Sequence, residues 1–220
     1  IFKNNYIFNG YQEVLVFSYA TILSCFFIQF HKNIYDKKNI FLMAMTFFII
    51  FWLKNEALIF STIFFISITF FNINKRFIFF GFLFIFLILL RVLLYKIFGL
   101  ENNFQSGNYE NFLITDIDKY ITLERFLIIF KHSIIAFFKI PVIIVMIISV
   151  FLINHHKKDT LSKIAILNFT LGISFIFCAY LFSSFPISFH LSVSIDRMFI
   201  QLSGFNIALV VLLINYLKLK

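Results

Sequence analysis

Charged residues are scarce in this chain. Asp, Glu, Lys and Arg make up 13% of its 220 residues, whereas hydrophobic residues make up 61%. A soluble domain carries roughly 25% charged residues, so the composition argues against an ordinary water-soluble protein. We therefore expect the bilayer to be the solvent for most of the chain, and backbone hydrogen bonding in lipid requires helices or a closed barrel.

Several familiar site patterns are also missing. The sequence contains no Gly-rich phosphate loop, no zinc-ligand spacing and no nucleophile elbow. Its only cysteines, Cys25 and Cys178, fall in apolar runs and are interpreted as small buried hydrophobes. The net charge of +9 does not indicate nucleic acid as a partner, because the basic residues are mostly spread over short loops between apolar runs.

Apolar runs of about 20 residues without strand-like alternation predict helices. We predict an all-α, polytopic transmembrane bundle that forms a single domain over residues 1–220. Because the first residue is Ile1 rather than Met, we expect a piece of a longer protein that lacks its natural N-terminus. The seven predicted spans are Glu13–Phe30, Ile40–Leu53, Ala57–Phe71, Phe77–Phe98, Ile140–Ile153, Ile164–Leu181 and Phe205–Leu217.

Two of these spans are a pair of short half-spans. The apolar run from Ile40 to Phe71 is interrupted by Lys54-Asn55-Glu56. One helix of this length would be about 48 Å long, too long for a hydrocarbon core of ~30 Å. Two half-spans would place the turn between them at or just below the membrane surface. A Lys and a Glu at that depth are costly unless they pair, bind a ligand or face water.

Basic residues collect in alternate loops, where the only acids are Asp36 and Asp159. The positive-inside rule makes these loops cytoplasmic, so the chain is predicted in the inner membrane with a cytoplasmic C-terminus. The Lys54 turn and residues 99–139 and 183–203 then lie on the outer side. The basic residues concerned are Lys32, Lys37, Lys38, Lys75, Arg76, Lys157, Lys158, Lys163, Lys218 and Lys220.

Residues Tyr120–Lys139 have the pattern of a helix that lies in the outer membrane interface. Their polar residues recur at intervals of seven and form one stripe on an otherwise apolar helix: Glu124 and Lys131, and Arg125, His132 and Lys139. Asp116 or Asp118 is the expected cap at the start of this helix.

Three polar groups interrupt or border the apolar spans on the predicted outer side. Glu13 stands at the mouth of the first span, Lys54 and Glu56 stand at the turn, and Arg91 lies about two turns inside the fourth span. Each has a structural alternative: a solvated helix end for Glu13, an ion pair between helices for Lys54 and Glu56, and snorkelling for Arg91. A phosphate or anionic headgroup is the functional alternative for Arg91.

A fourth polar group lies in Ser188–Gln201, predicted as a helix that starts after Pro186. One face carries an imidazole, a hydroxyl, a guanidinium and an amide at spacings of four, three and four residues: His190, Ser194, Arg197 and Gln201. Ser188, Ser192 and Asp196 fall on another face. Such a stripe suits a sugar or a phosphate, or else it is a polar face turned to water.

Three motifs resemble those of the GT-C membrane glycosyltransferases, in the same order. Gly10-Tyr11-Gln12-Glu13 resembles a Gly-Tyr-Ala-Asp start, with Glu13 in place of the usual Asp. Lys54-Asn55-Glu56-Ala57-Leu58 is similar to a Lys-Asn-Glu-Gly-Leu segment, with Ala57 in place of Gly. Ser194-Ile195-Asp196-Arg197 with Gln201 is similar to the late segment Ser-x-Asp-Arg-x-x-x-Gln. These matches would cover the later part of the membrane domain.

The resemblance implies an inverting transferase that moves a sugar from a polyprenyl-phosphate donor to a lipid or glycan acceptor at the outer face of the inner membrane. The substrate would be bound by Glu13, Lys54, Glu56, Arg91, His190, Ser194, Asp196, Arg197 and Gln201. In the family a catalytic Asp lies in an early outer loop, so the general base is expected before Ile1. Membrane lipids are expected neighbours, no metal site is predicted from the residues, and a divalent metal ion stays open as a cofactor.

Two other functions fit the same residues. A transporter or polymerase-like protein for lipid-linked glycans would use the polar groups to line a path, and a broken helix is typical of transporters. A helical scaffold without chemistry would tolerate neutral polar replacements at every charged position.

Overall fold

The computed structural model describes residues 12–32, 37–71, 75–98, 121–140, 144, 147, 160–183 and 187–218. All regular structure in these residues is helical, which confirms the all-α prediction. The main helices are α1 (Gln12–Lys32), α2 (Lys37–Leu53), α3 (Asn55–Phe71), α4 (Lys75–Ile97), α5 (Leu123–Lys139), α6 (Thr160–Leu181) and α7 (Ile187–Lys218). The predicted fifth span, Ile140–Ile153, falls largely outside the described residues.

The break between the two half-spans is a single residue wide. α2 ends at Leu53 and α3 begins at Asn55, so only Lys54 leaves the helical conformation. The Lys54 carbonyl accepts a hydrogen bond from the Leu58 amide at 3.2 Å, which places Lys54 at the N-cap of α3. Glu56 lies in the first turn of α3, where a carboxylate is favoured by the helix dipole.

α7 is longer than expected. The sequence predicts a polar helix at Ser188–Gln201 and a separate span at Phe205–Leu217, but the structure has one continuous helix of 32 residues. At ~1.5 Å per residue α7 is about 48 Å long, which exceeds a hydrocarbon core of ~30 Å. Gly204 does not interrupt the helix, because its lack of a side chain is used for packing against α1.

Four helices pack around α7, which contacts α1, α3, α5 and α6. α1 runs parallel to it, with Glu13 beside Arg197 and Phe17 beside Gly204. A Cβ on Gly204 would lie 2.7 Å from the Phe17 carbonyl oxygen, so the two backbones are nearly in contact. Ser24 donates a 2.8 Å hydrogen bond to the Phe205 carbonyl across the same contact. Small residues that allow such an approach are typical of helix pairs in membranes.

α6 runs antiparallel to α7, with Tyr180 beside Ser194 and Asn168 beside Asn206. The polar residues of the first half of α7 therefore lie level with the start of α1, the Lys54 break and the end of α6. We call this the Lys54 end of the bundle. The opposite end contains the end of α1 and the beginnings of α2, α4 and α6.

Phenylalanine fills the interior of the bundle. Phe84 of α4 packs against Phe51 of α2 and Phe65 of α3, with ring centroids 5.0 and 5.2 Å apart. Phe64 of α3 packs against Phe205 of α7 at 5.6 Å. Interlocking aromatic rings therefore join α2, α3, α4 and α7 below the Lys54 end.

The outer surface of the bundle carries many apolar side chains, while two charged residues are buried inside it. Large hydrophobic side chains point outward from most of the helices, including Phe41, Phe70, Phe82, Leu89, Phe138 and Phe189. Glu13 and Arg91, by contrast, are 3% and 7% exposed. Cys25 and Cys178 are also exposed, so the expectation that they are buried is wrong. Apolar surface of this extent normally meets another protein or a membrane.

The helix predicted at residues 120–139 forms as α5, with a different cap from the one expected, and its place in the outer membrane interface stays a prediction. Thr122 caps it by accepting a hydrogen bond from the Arg125 amide, whereas Asp116 and Asp118 lie outside the described residues. Its first turn meets the end of α6, where Arg125 donates to the Ser183 carbonyl, and Phe137 near its end meets Phe169. α5 therefore packs along the antiparallel pair of α6 and α7, because Ile129, Ser133 and Ala136 give it a buried face.

Among the described residues one helix is long and apolar enough to cross a membrane, over Lys163–Leu181. Four shorter apolar stretches accompany it: Gln12–Phe27, Lys38–Leu53, Asn55–Phe71 and Phe84–Leu94. The seven crossings, their orientation and the single domain stay predictions.

Candidate functional site

One buried carboxylate receives two cations at the Lys54 end. Lys54 Nζ donates a hydrogen bond to Glu13 Oε1, and Arg197 Nη1 lies 3.5 Å from the same oxygen. The Glu13 side chain is 4% exposed, and those of Lys54 and Arg197 are 21% and 22% exposed. We call Glu13, Lys54 and Arg197 the ion cluster. It joins the first turn of α1, the α2–α3 break and the middle of α7.

The helix break explains how Lys54 reaches this position. Because Lys54 caps α3 instead of continuing α2, its side chain is directed toward the start of α1. Arg197 is 21 residues before the end of α7 at Lys218, or about 32 Å along the helix axis. The ion cluster thus lies about one hydrocarbon thickness from the opposite end of α7.

Unmatched polar atoms surround the ion cluster. Gln201, one helical turn beyond Arg197, is 0% exposed, and both its amide oxygen and its amide nitrogen lack a hydrogen-bond partner among the described residues. The second oxygens of Glu13 and Glu56 are buried and lack partners in the same sense. Such groups are rare in native proteins and call for an explanation.

A chain of hydrogen bonds lines the α6 side of the site. Tyr180 Oη lies 2.9 Å from Ser194 Oγ, and Ser183 Oγ lies 2.7 Å from His190 Nδ1. Ser194 lies three residues before Arg197 on the same face of α7, so these hydrogen bonds border the ion cluster. His190 precedes the predicted span at Phe205–Leu217. Burial, followed by the positive charges of Arg197 and Arg125, lowers its pKa, so we expect a neutral imidazole at pH 7.

α5 supports this side through two charged contacts. Arg125 donates hydrogen bonds to the carbonyls of Tyr180, at 3.1 Å, and Ser183, which satisfies the end of α6. Lys139 forms an ion pair with Asp196 Oδ2 at 2.9 Å, on a different face of α7 from Arg197. Asp196 Oδ2 is therefore engaged with α5, while Asp196 Oδ1 is buried without a hydrogen-bond partner in the described residues.

Arg91 lies beside the ion cluster but is directed to the helix break. Its guanidinium donates to the Phe51 carbonyl and to Asn55 Oδ1. At 7% exposure it is not snorkelling to the surface. These bonds satisfy a carbonyl freed where α2 ends, so Arg91 holds the break in shape and thereby positions Lys54.

The charges of the site allow it to bind an anion. Two cations share one carboxylate in the ion cluster, which leaves a formal excess of one positive charge in a largely buried place. Glu56, two residues from Lys54, carries a second carboxylate that could offset this positive charge. Among the described residues it forms no ion pair with Lys54. A phosphate in front of Lys54 and Arg197 would receive charge-assisted hydrogen bonds in a low-dielectric setting.

The structure brings together most of the predicted site residues. Glu13, Lys54 and Arg197 are in contact. Ser194 and Gln201 lie about one helical turn before and after Arg197 on α7, and Glu56 is two residues from Lys54. His190 lies one turn of α7 before Ser194. Asp196 and Arg91 take the supporting positions described above. Five supporting residues were not predicted as part of the site: Tyr180, Ser183, Arg125, Lys139 and Asn55. The sequence did give a signal for two of them, because Arg125 and Lys139 each lie seven residues from His132 on one stripe of α5.

No group of three or more His, Cys, Asp or Glu side chains that could hold a metal ion occurs in the described residues. Comparison with known proteins gave no match to a family, to a characterised protein or to a solved structure.

Proposed function

We propose that this chain belongs to a membrane glycosyltransferase that moves a sugar from a polyprenyl-phosphate donor to a lipid or glycan acceptor at the outer face of the inner membrane. The observation that carries the proposal is the convergence of Lys54 and Arg197 on one buried oxygen of Glu13. The three sequence stretches that resemble the GT-C enzymes supply these residues.

The apolar outer surface supports the membrane part of the proposal. A bundle that exposes Phe and Leu side chains while it buries Glu13 and Arg91 has the polarity expected for lipid surroundings. The distance of ~32 Å from Arg197 to the end of α7 would place the ion cluster at the border of the hydrocarbon layer. A lipid phosphate lies at that depth when its polyprenyl chain is in the membrane.

The proposed reaction is a single displacement at the anomeric carbon. The acceptor hydroxyl oxygen forms a bond to that carbon while the bond from the carbon to the phosphate oxygen breaks. The hydroxyl proton passes to a carboxylate base, which the resemblance places outside these residues. Polyprenyl phosphate leaves with an additional negative charge, which Lys54 and Arg197 would stabilise. Glu13 would hold the two cations in position before the donor binds.

Loss of one glycosylated product on deletion of the gene is the expected test result. Membranes from the native host and from a deletion strain are incubated with a panel of radiolabelled polyprenyl-phosphate hexoses and pentoses. The deletion membranes should fail to label one lipid or glycan that wild-type membranes label, and the restored gene should recover it. Identical product patterns in both strains would contradict the proposal.

The broken helix keeps transport as the second candidate, because broken helices line substrate paths in transporters. The same membranes, sealed as vesicles, distinguish the two. Movement of labelled donor into the vesicles that depends on the gene, without a labelled product, would replace the transferase by a transporter.

A further inference from the structure

The carboxylate of the ion cluster lies behind its two cations. The Glu13 side chain is almost fully buried, whereas the side chains of Lys54 and Arg197 are part-exposed. An ammonium has three N–H donors, and Glu13 Oε1 accepts one of those of Lys54. The exposed parts of the two cations, rather than the buried carboxylate, are therefore what an incoming anion meets.

One phosphate is the right size to bridge these cations. Lys54 Nζ and Arg197 Nη1 each lie within 3.5 Å of the same Glu13 oxygen, so the two nitrogens are no more than twice that distance apart. Different oxygens of a single phosphate, each accepting a hydrogen bond of about 2.7–2.9 Å, span such a separation. Glu13 and an incoming phosphate would therefore act on the same two nitrogen atoms.

Glu13 is incompletely matched for a residue that serves only as a structural tie. Its Oε2 is buried and has no hydrogen-bond partner among the described residues. Arg197 Nη1, at 3.5 Å from Oε1, is beyond the usual length of a hydrogen bond. A buried ion pair contributes to stability only when its remaining lone pairs are satisfied, so Glu13 is poorly suited to a purely structural role.

The charge of Glu13 opposes the binding of an anion. A phosphate held by Lys54 and Arg197 would lie close to this carboxylate, in a largely buried place where solvent and salt screen charges poorly. The lipid phosphate released by the proposed reaction carries more negative charge than the donor, so two uncompensated cations would retain it. Release of product limits the rate of many enzymes. A carboxylate behind the cations would lower the affinity for this product.

We propose that Glu13 is an internal counter-anion of the phosphate site, which partly neutralises Lys54 and Arg197 while the site is empty and speeds the release of the lipid phosphate. The proposal rests on the proposed function and adds to it how the site lets its product leave. It differs from a role in folding alone, because the affinity for phosphate rises when the charge of Glu13 is removed.

Binding of farnesyl phosphate to the purified full gene product in detergent tests the proposal, with farnesol as the probe for the chain alone. Glu13→Gln keeps the size of the side chain and removes its charge. It should bind farnesyl phosphate about tenfold more tightly than the wild type, with unchanged affinity for farnesol. Glu124→Gln, which removes an exposed carboxylate from α5, is the matched control and should bind as the wild type does. The gain should disappear when Glu13→Gln is combined with Lys54→Met, because it acts through that cation.

Thermal unfolding of the same proteins provides a second measurement. Without ligand, Glu13→Gln should have a lower Tm than the wild type, because two part-buried cations lose their counter-charge. Farnesyl phosphate at one fixed concentration should raise Tm more in Glu13→Gln than in the wild type, since stabilisation by a ligand grows with its affinity. A role in folding alone predicts the lower Tm together with an equal or smaller rise.

Three results would overturn the proposal: farnesyl phosphate bound no more tightly by Glu13→Gln than by the wild type, an equal gain in Glu124→Gln, or a gain that survives Lys54→Met. A Glu13→Gln protein that unfolds and is not rescued by farnesyl phosphate contradicts it equally. Failure of the proposed function is recognised separately, because the wild type and Glu13→Gln would then both bind farnesyl phosphate no more tightly than farnesol.

Discussion

Replacement of Lys54 by methionine is expected to lower sugar transfer at least 100-fold. Methionine has a similar length and keeps the contacts of the aliphatic stem, but it carries no charge to place against the departing phosphate. A 100-fold loss corresponds to about 2.7 kcal/mol of transition-state stabilisation, within the usual effect of one such group. The measurement is the rate of label transfer in membranes with matched amounts of protein.

The same replacement leaves Glu13 buried with a weaker partner, so a loss of folded protein must be separated from a loss of chemistry. Removal of one partner of a buried ion pair costs about 3–5 kcal/mol, and the remaining Arg197 at 3.5 Å favours the lower end. The double variant Glu13→Gln with Lys54→Met also removes the carboxylate that pairs with Arg197, so its stability should be no higher than that of Lys54→Met. Its transfer activity should stay low.

Lys131→Met is the matched control, because Lys131 is exposed on α5. It should leave both stability and transfer near wild type. Normal transfer by the double variant would contradict a role for Lys54 beyond pairing with Glu13, and the ion cluster would then be a structural tie between α1 and the helix break.

Gly204→Ala is expected to destabilise the bundle by about 3 kcal/mol, the upper end of the effects of overpacking. The added Cβ would lie 2.7 Å from the Phe17 carbonyl oxygen, 2.9 Å from Phe17 Cα and 3.1 Å from Ala20 Cβ. Two of these atoms are backbone and cannot rotate away, so α1 and α7 would have to separate. Thermal unfolding of the purified protein in detergent measures the effect.

Two other glycines provide a graded control. At Gly172 the added Cβ would meet the Leu202 methyl groups, which can move, so we expect a smaller loss of about 1 kcal/mol. At Gly81 the nearest atoms are 3.6 Å away on the Phe65 ring, and the better helix propensity of alanine should give no loss or a gain of up to ~1 kcal/mol. Equal effects at all three positions would contradict the close contact between α1 and α7.

The sequence was sufficient to predict the helices and the interruption at Lys54, because both depend on local pattern. Long apolar runs set the bounds of α1 to α4 and α6 to within a few residues, and Lys54-Asn55-Glu56 is the polar interruption of the second run. It was also possible to predict that the stripe of His190, Ser194, Arg197 and Gln201 shares one face, since helical spacing determines it.

The partners of the charged residues could not be predicted, because they depend on how distant segments pack. Glu13 and Lys54 are 41 residues apart, and Arg91 lies 40 residues from the Phe51 carbonyl that it satisfies. No local pattern distinguishes these contacts from a solvated end or a snorkelling arginine. The continuity of α7 was also not predicted: the sequence divides it into a polar helix and an apolar span, whereas the structure joins them through Gly204 in close contact with α1.

The proposed function requires that the ion cluster lies at the outer membrane face and that the helix ends rich in lysine lie at the other face. Thiol labelling in intact cells with an impermeant maleimide tests this directly, after Cys25 and Cys178 are replaced by alanine. Trp52→Cys and Ser188→Cys, at exposed positions at the Lys54 end, should label in intact cells. Lys38→Cys and Lys163→Cys, at exposed positions at the opposite end, should label only after permeabilisation. Labelling of positions 52 and 188 from opposite sides, or of positions 38 and 188 from the same side, would contradict it.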